Sequence, residues 1–174
     1  MENHHEDPFV NKEKFILVNH PNVQAEEFGW THEYVEELIA QANDEEKLSL
    51  LDDEELNDLG IIYSEGVDVP VNMALAIKYF ALSIELDNDL ARSNLADIYR
   101  KGTNGVPVNP KKAFELYSEC HLPYAYYRVG EAYQYGRGVE QDLEKAKYNY
   151  RIAYKHGHPL ARRKLTTFNF FTDK

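Results

Sequence analysis

The histidines and the single cysteine are the side chains in this sequence best suited to bind a metal or act as a nucleophile. His156 and His158 flank Gly157, and two imidazoles at this spacing would supply two ligands to zinc. Cys120 precedes His121, but adjacent residues on a helix do not face each other, so they do not form a nucleophile–base pair. No cysteine or carboxylate lies in register with the two histidines. A solvated turn is therefore the favoured interpretation of this segment, and a metal site or enzyme using it is the minor one.

Carboxylates are numerous, but most of them fall in surface runs or at the starts of predicted helices. Asp52-Asp53-Glu54-Glu55 is one such run, and acidic side chains are favourable near a helix N-terminus. No Gly-rich phosphate-binding loop follows a strand-like segment. The sequence therefore predicts no enzymatic activity and no cofactor.

The sequence repeats one eight-residue phrase three times. Each copy begins with Leu or Val, continues with a small residue, has Tyr four positions after its start and ends with Gly: Leu59–Gly66, Leu95–Gly102 and Val129–Gly136. The copies start 36 and 34 residues apart. A period of this size is typical of solenoids built from stacked helix pairs. The sequence therefore predicts an all-α, right-handed α-solenoid of helix-turn-helix repeats with helical caps.

Each unit contains the signals for a helix A, a turn and a helix B. Side chains four residues apart share a helical face, which places the Leu or Val and the Tyr of each phrase in the core. The closing glycine suits the left-handed conformation after a helix, and Asn or Asp is a good N-cap for the next one. These N-caps are Asn72, Asn109 and Asp142, and the helix-B core positions are Ala76/Phe80/Ser83, Ala113/Tyr117/Cys120 and Ala146/Tyr150/Ala153. Cys120 is therefore predicted to be a buried packing residue.

The pattern Leu-Gly-x-x-Tyr-x-x-Gly, then Gly-Val, then Asp-x-x-Lys-Ala-x-x-x-Tyr-x-x-Ala, resembles the Sel-one-like repeat, a relative of the tetratricopeptide repeat. The unit from Val129 to Gly157 matches this pattern best, and the resemblance covers about residues 53–165. Members of the family are typically adaptors that hold other proteins, and some are thought to act in bacterial effector–immunity pairs. The resemblance therefore implies a non-catalytic module that binds another protein.

These signals predict a division of the chain into repeats and flanking segments. The divisions are an N-terminal arm over 1–29, a helical cap over 30–52, repeats over 53–88, 89–122 and 123–157, and a C-terminal cap helix with a tail over 158–174. Thr31 and Asp44 are the expected N-caps of two helices in the N-terminal cap. Phe168, Phe170 and Phe171 are expected to fold back on the exposed end of the last repeat.

Charge is polarised along the chain. Residues 1–66 carry 18 acidic and 3 basic side chains, a net charge of −15, whereas residues 67–174 carry a net charge of +4. An acidic front of this kind favours contact with a basic protein partner. Nucleic acid is disfavoured, because phosphate binding needs a basic stripe with aromatic support.

Three further features bear on the compartment. The longest apolar run is far short of the roughly 20 residues that a membrane helix needs. The N-terminus lacks the basic and apolar regions of a secretory signal, and a single cysteine fits a reducing environment. The sequence therefore predicts a cytoplasmic protein with no membrane partner.

The positions of helix A between the core positions form the candidate binding surface. Helix A opens near the residue four positions before the Leu or Val of each phrase, which is Glu55, Ala91 or Ala125. Offsets 2, 3, 6 and 10 from this residue are predicted to point away from the core, across the concave face that helix A lines in this architecture. The candidate protein-binding residues are Asp58, Asn94, Asp97, Lys101, Tyr127, Arg128, Glu131 and Tyr135. The first choice for a binding patch among these residues is the set Tyr127, Arg128 and Tyr135, because Tyr and Arg are favoured interface anchors.

Three functional hypotheses follow. The first is a cytoplasmic adaptor that binds its partner through the concave face of the helices A. The second is a stand-alone bacterial immunity or inhibitor protein that neutralises a basic toxin effector. The third, a metal-binding protein or enzyme using His156 and His158, is the weakest. The identity of the partner and the oligomeric state are left open by the sequence.

Overall fold

The computed structural model describes residues 23–172, with side chains up to Thr167, and this part of the chain is an all-α solenoid. Its helices are α1 (His32–Ala42), α2 (Glu45–Leu48), α3 (Asp53–Glu65), α4 (Met73–Glu85), α5 (Asp89–Lys101), α6 (Pro110–Ser118), α7 (Pro123–Tyr135), α8 (Leu143–Lys155) and α9 (Ala161–Thr172). Helices α3, α5 and α7 are the helices A of the three units, and α4, α6 and α8 are the helices B. Residues 1–22 of the predicted arm and the side chains of the C-terminal phenylalanines lie outside the described residues.

The helices B begin, and the helices A end, at the residues that the sequence predicts, but α6 ends at Ser118, so Cys120 lies beyond the helix in which it was predicted. The side chains of the three helix-B N-caps accept hydrogen bonds from backbone N–H groups three residues later: Asn72 from Leu75 at 3.1 Å, Asn109 from Lys112 at 3.0 Å and Asp142 from Lys145 at 2.9 Å. Gly66, Gly102 and Gly136 end the helices A with φ of 74°, 72° and 65°. These left-handed conformations favour glycine because it has no Cβ. The unit boundaries therefore follow from local sequence.

Close contact between the two helices of a unit explains the glycines inside helix A. A Cβ added at Gly60 would lie 2.4 Å from the ring of Phe80, and one at Gly130 would lie 2.8 Å from the ring of Tyr150. Phe80 and Tyr150 are both fully buried. The aromatic ring of helix B therefore occupies the space that a side chain on helix A would need, and this contact sets the separation of the pair.

A second contact ties the end of α4, and the segment that follows α6, to the start of helix A in the same unit. Ser83 Oγ donates a hydrogen bond of 2.6 Å to the carbonyl oxygen of Asp53. In the next unit Cys120 Sγ lies 3.4 Å from the carbonyl oxygen of Asp89. Cys120 is only 1% exposed, so its predicted role as a buried packing residue is confirmed.

The segment before α3 packs on the first unit. Val23 forms an isolated parallel bridge with Val67, and His32 Nδ1 lies 2.6 Å from Asp68 Oδ2. The hydroxyl of Tyr34, on α1, donates a hydrogen bond of 3.0 Å to Asp58 on α3. The predicted N-caps Thr31 and Asp44 both accept backbone hydrogen bonds at the starts of α1 and α2. These contacts cover the open end of the first helix pair.

Gly130→Ala is predicted to destabilise the protein by on the order of 1 kcal/mol. The new Cβ would push against Tyr150 and overpack the pair by about 1–3 kcal/mol, which outweighs the gain of about 1 kcal/mol in helix propensity. Chemical denaturation of the variant and the natural protein measures this difference.

Ala96 provides the matched control, because it occupies the same small position in the middle unit and already has a Cβ. Ala96→Gly should lower the free energy of unfolding by about 1 kcal/mol through helix propensity, and further through the loss of its buried Cβ. An unchanged or raised stability of Gly130→Ala would show that the ring contact does not fix the separation of the helices.

Candidate functional site

The face of helix A that was predicted to be exposed is largely buried. Asn94, Asp97 and Tyr127 are 9%, 4% and 6% exposed, so the prediction that they face solvent is wrong. Asn94 and Asp97 contact the neighbouring helices A, through Asn57 and Tyr124, whereas Tyr127 packs against Tyr150 on its own helix B and against His158. Because Tyr127 is buried, Tyr127→Ala would test stability rather than binding.

The other candidate residues are more accessible. Tyr135 is 49% exposed at the end of α7, so it is the candidate position that faces solvent most clearly. Four more are half-buried: Asp58, Lys101, Arg128 and Glu131. The binding role of all eight candidates remains a prediction.

Polar side chains join each helix A to the next one, and we call these contacts the helix-A seam. The seam comprises Asn94 Nδ2 to Asn57 Oδ1 at 3.1 Å, Tyr124 Oη to Asp97 Oδ1 at 3.0 Å, and Lys164 Nζ to Glu131 Oε1 at 3.2 Å. Each contact spans two units, or the last unit and α9. Residues between the packing positions therefore add polar contacts between units to the hydrophobic core that they share.

Asp97 is the most enclosed charge in the seam. Its Oδ1 accepts hydrogen bonds from the hydroxyls of Tyr117 and Tyr124 and from Arg100 Nε at 3.0 Å, and its Oδ2 lies 2.9 Å from Lys101 Nζ. Burial alone would raise the pKa of this carboxyl. The hydrogen bonds and charges of its partners outweigh burial and lower the pKa to about 2. Asp97 is therefore ionised at neutral pH and serves as a structural anchor.

Arg128 and Glu131 form the corresponding pair in the third unit. Arg128 Nη1 lies 2.6 Å from Glu131 Oε2, and its guanidinium lies 4.7 Å from the ring centroid of Tyr124. Burial would raise the pKa of Glu131, but Arg128 and Lys164 lower it. The pair is therefore charged, and the Nε of Arg128 is buried without a hydrogen-bond partner in the described part of the chain.

The structure corrects the interpretation of the histidine turn. His156 is exposed, but His158 is only 9% exposed and its ring stacks on Tyr127 with centroids 4.3 Å apart. Burial and the nearby charge of Arg128 lower the pKa of His158 to about 4, so this imidazole is neutral at pH 7. Within the described residues, no group of three or more His, Cys, Asp or Glu side chains is arranged to hold a metal ion.

A cavity of about 350 Å³ lies where α5, α6 and α7 meet, and we call it the inter-repeat groove. Its lining combines three arginines with apolar and aromatic side chains from both units. The lining residues are Arg100, Val108, Pro110, Ala113, Phe114, Tyr117, Arg128, Glu131, Ala132 and Arg137. Arg128 and Glu131 are the two sequence candidates that the groove includes.

The groove coincides with a difference between the units. Ala132 on α7 lines it, and the equivalent position on α5 is Ile98, which is fully buried in the main hydrophobic core. Alanine lacks three of the side-chain carbons that isoleucine would place there. The stack thus leaves space between its second and third units at a position that isoleucine occupies one unit earlier.

Sequence reasoning missed most of this groove. Arg100, Phe114 and Arg137 lie outside the offsets that were assigned to the exposed face of helix A, although all three line the cavity. The signal that was available was the exchange of Ile98 for Ala132 between aligned units. A small residue where the preceding unit has a large one indicates missing volume at that joint.

Matches to the Sel1 repeat cover residues 56–88, 90–119 and 123–158, which together are more than half of the chain. The chain belongs to the Sel1 repeat family. Proteins built from Sel1 repeats are typically non-catalytic scaffolds for protein–protein interaction. In residues 23–172 of this Sel1 repeat protein, no helix is long and apolar enough to cross a bilayer.

Solved structures with the same architecture include three bacterial proteins. A Sel1 repeat protein from Oxalobacter formigenes has a TM-score of 0.63 at 25% identity, over 76% of this chain and 97% of that one. The protective antigen c5321 of uropathogenic Escherichia coli, described as an SLR fold, has a TM-score of 0.67 at 27% identity, over 80% of this chain and 33% of that one. Helicobacter pylori cysteine-rich protein B has a TM-score of 0.54 at 22% identity, over 63% and 84% of the two chains, which is a likeness of fold alone.

One curated relative is a putative ERAD-associated E3 ubiquitin-protein ligase component of Schizosaccharomyces pombe. It is 30% identical over 100 residues, which is 55% of this chain and 14% of that protein. The chain thus spans about one seventh of the length of this relative. The similarity concerns the repeats and not the activity of the whole protein.

Asp97→Asn is predicted to destabilise the protein by about 3 kcal/mol, because it leaves Arg100 and Lys101 partly buried without their carboxylate. Asp87→Asn is the matched control, since the Asp87 carboxylate is 90% exposed in its ion pair with Arg92. Arg92 is itself only 8% exposed but keeps its ion pair with Asp89, so loss of the Asp87 contact should cost less than about 1 kcal/mol. Equal losses for the two variants in urea denaturation would contradict the anchoring role of Asp97.

Glu65 supplies a pH-dependent prediction. This residue is 5% exposed, burial raises the pKa of its carboxyl to about 7, and its Oε1 has no hydrogen-bond partner among the described residues. A pKa that is higher in the folded state gives stability that is present below the unfolded value of about 4.5 and is lost as pH rises through about 7. Glu65→Gln should therefore be more stable than the natural protein at pH 8 by about 1–3 kcal/mol.

The difference between Glu65→Gln and the natural protein should widen from pH 4.5 to pH 7 in thermal melts. The comparison at each pH cancels the opposite contribution of His158, whose lowered pKa removes stability as pH falls from 6.5 to about 4. A constant difference across this range would show that Glu65 does not titrate at a raised pKa.

Proposed function

We propose that this protein is a non-catalytic adaptor that holds an extended segment of a partner protein in the inter-repeat groove. The observation that carries the proposal is the groove itself, a cavity of about 350 Å³ with aliphatic, aromatic and guanidinium groups on its walls. This volume lies at the small end of the range of about 300–1,000 Å³ for ligand pockets. It suits one or two side chains of an extended segment rather than the surface of a folded domain.

The chemistry of the lining supports a protein partner. Arginine and aromatic side chains are enriched at the energetic centres of protein interfaces, and here they lie beside apolar surface. Val108 is 58% exposed at the rim and Tyr135 is 49% exposed close by. Family membership supports the same conclusion, since Sel1 repeats typically mediate protein–protein interaction. A cytoplasmic location remains part of the proposal.

A second candidate function is inhibition of a basic protein through the N-terminal cap together with the residues on either side of it. Between residues 23 and 66 the chain carries 14 acidic side chains and one basic side chain, Lys47. Most of these carboxylates are exposed in the structure. A one-sign surface of this kind accelerates association with a partner of opposite charge. This observation favours the immunity or inhibitor hypothesis for the cap and leaves the groove to the adaptor hypothesis.

Ala132→Ile tests the adaptor proposal by filling the groove with the side chain that Ile98 provides in the preceding unit. The partner captured by the natural protein from its native host should be lost, because the added side chain occupies the site of the bound segment. The measurement is quantitative affinity capture with crosslinking, accompanied by a thermal melt of each variant.

Ala81→Ile is the control for this experiment, because Ala81 is exposed on α4 and distant in sequence from the groove. It should capture the same partner as the natural protein. Retention of the partner by a folded Ala132→Ile variant would overturn the proposal. Loss of a basic partner after Glu33→Lys with Glu37→Lys, and not after Ala132→Ile, would instead support inhibition through the cap.

A further inference from the structure

We infer that the inter-repeat groove recognises an acidic peptide, in which Asp or Glu adjoins an aromatic or aliphatic residue. This inference rests on the proposed function and adds the chemistry of the segment that the groove takes. It depends on the charges around the groove, on the hydrogen-bonding capacity left on its arginines and on the apolar part of its lining.

The groove and its ion pairs carry a positive charge in an acidic protein. The cations are Arg100, Lys101, Arg128, Arg137 and Lys164, and the carboxylates are Asp97 and Glu131. Five cations and two carboxylates give this cluster a net charge of +3, whereas the whole chain has a net charge of −11. The potential at the groove therefore favours an anionic ligand.

Two of the arginines keep donors that the described residues do not use. Arg100 bonds to Asp97 and Tyr117 through Nε alone, so neither Nη atom is engaged within residues 23–167. Arg137 is exposed and stacks on Tyr135 at 4.8 Å, and within the same range its guanidinium has no ion pair. A planar guanidinium with free N–H groups matches a carboxylate in a two-bond arrangement. Arg100 and Arg137 are therefore the residues that would bind the acidic side chain.

Apolar side chains surround these donors. Phe114 packs edge-on against Tyr133 with centroids 5.3 Å apart, and Ala113 and Ala132 are buried beside it. The missing volume at Ala132 would accept an aromatic or branched aliphatic side chain of the ligand. An acidic residue next to such a side chain therefore satisfies both parts of the groove.

A peptide is favoured over a nucleic acid by the surroundings of the groove. A nucleic acid would extend beyond one cavity and would need further cations along its path, but this chain carries 30 acidic and 19 basic side chains. One localised cluster is sufficient for one or two carboxylates on a short peptide.

Fluorescence anisotropy with three matched octapeptides tests the inference. Each fluorescein-labelled peptide contains two Phe residues flanked by Glu in the first, Gln in the second and Lys in the third. The Glu peptide should bind the full-length protein at least about tenfold more tightly than the Gln peptide, and the Lys peptide should not bind at about 1 mM. Raising the salt concentration should weaken binding of the Glu peptide and leave binding of the Gln peptide nearly unchanged.

Variants locate the binding in the groove. Arg137→Gln should lower the affinity for the Glu peptide about tenfold. Arg151 is an exposed arginine on α8, so Arg151→Gln should leave this affinity unchanged. Ala132→Ile should abolish binding of the Glu peptide. Circular dichroism melts of these variants confirm that each is folded before its affinity is compared.

Four outcomes would overturn the inference. Equal binding of the Glu and Gln peptides, abolished by Ala132→Ile, would remove the acidic preference and leave the proposed function standing. If no peptide at about 1 mM showed binding that Ala132→Ile prevents, the groove would not be a peptide site. The affinity capture above would then decide the adaptor function separately. An unaltered affinity in Arg137→Gln would remove the guanidinium contact. A thymidine oligonucleotide that displaces the Glu peptide with higher affinity would reassign the groove to nucleic acid.

Discussion

The contact between a small residue on helix A and an aromatic ring on helix B is the constraint on which this structure depends. Gly60 faces Phe80 and Gly130 faces Tyr150, and in each pair the ring lies where a Cβ would otherwise be. At other positions helix A meets the neighbouring units, where Asn94 bonds to Asn57 and Tyr124 bonds to Asp97. The helices A therefore have two packed faces, and the polar residues on the second face hydrogen-bond across units instead of facing solvent.

Burial gives each carboxylate of helix A a different role according to its partners. Asp97 accepts hydrogen bonds from Arg100 and two tyrosines, so it stays ionised, with a pKa of about 2. Glu65 is similarly buried, but its Oε1 has no partner in the described part of the chain and its pKa is raised to about 7. The same type of group is thus an anchor at Asp97 and a source of instability at Glu65, because of these two carboxyls only that of Asp97 has hydrogen bonds that outweigh burial.

The features that sequence predicted well are those set by neighbouring residues. The N-caps, the left-handed glycines and the pairing of helices follow from spacings of a few residues, and Asn109 and Gly102 show both signals within eight residues. The exposure of Asp97 and Tyr127 was predicted wrongly because it depends on which helix lies opposite, which one repeat considered alone does not contain. The groove was missed because it arises from a difference between units, Ile98 against Ala132, rather than from the pattern that they share.

The position of the groove at a joint between units affects the mechanics of the solenoid. Arg100 and Phe114 belong to the second unit, whereas Arg128 and Arg137 belong to the third. In a stack whose units contact only their neighbours, the curvature follows from the rotation of each unit against the next. A side chain that fills this space touches both units at once, so it resists rotation of one against the other. An occupant of the groove would therefore stiffen the solenoid at this joint and fix the angle between the second and third units.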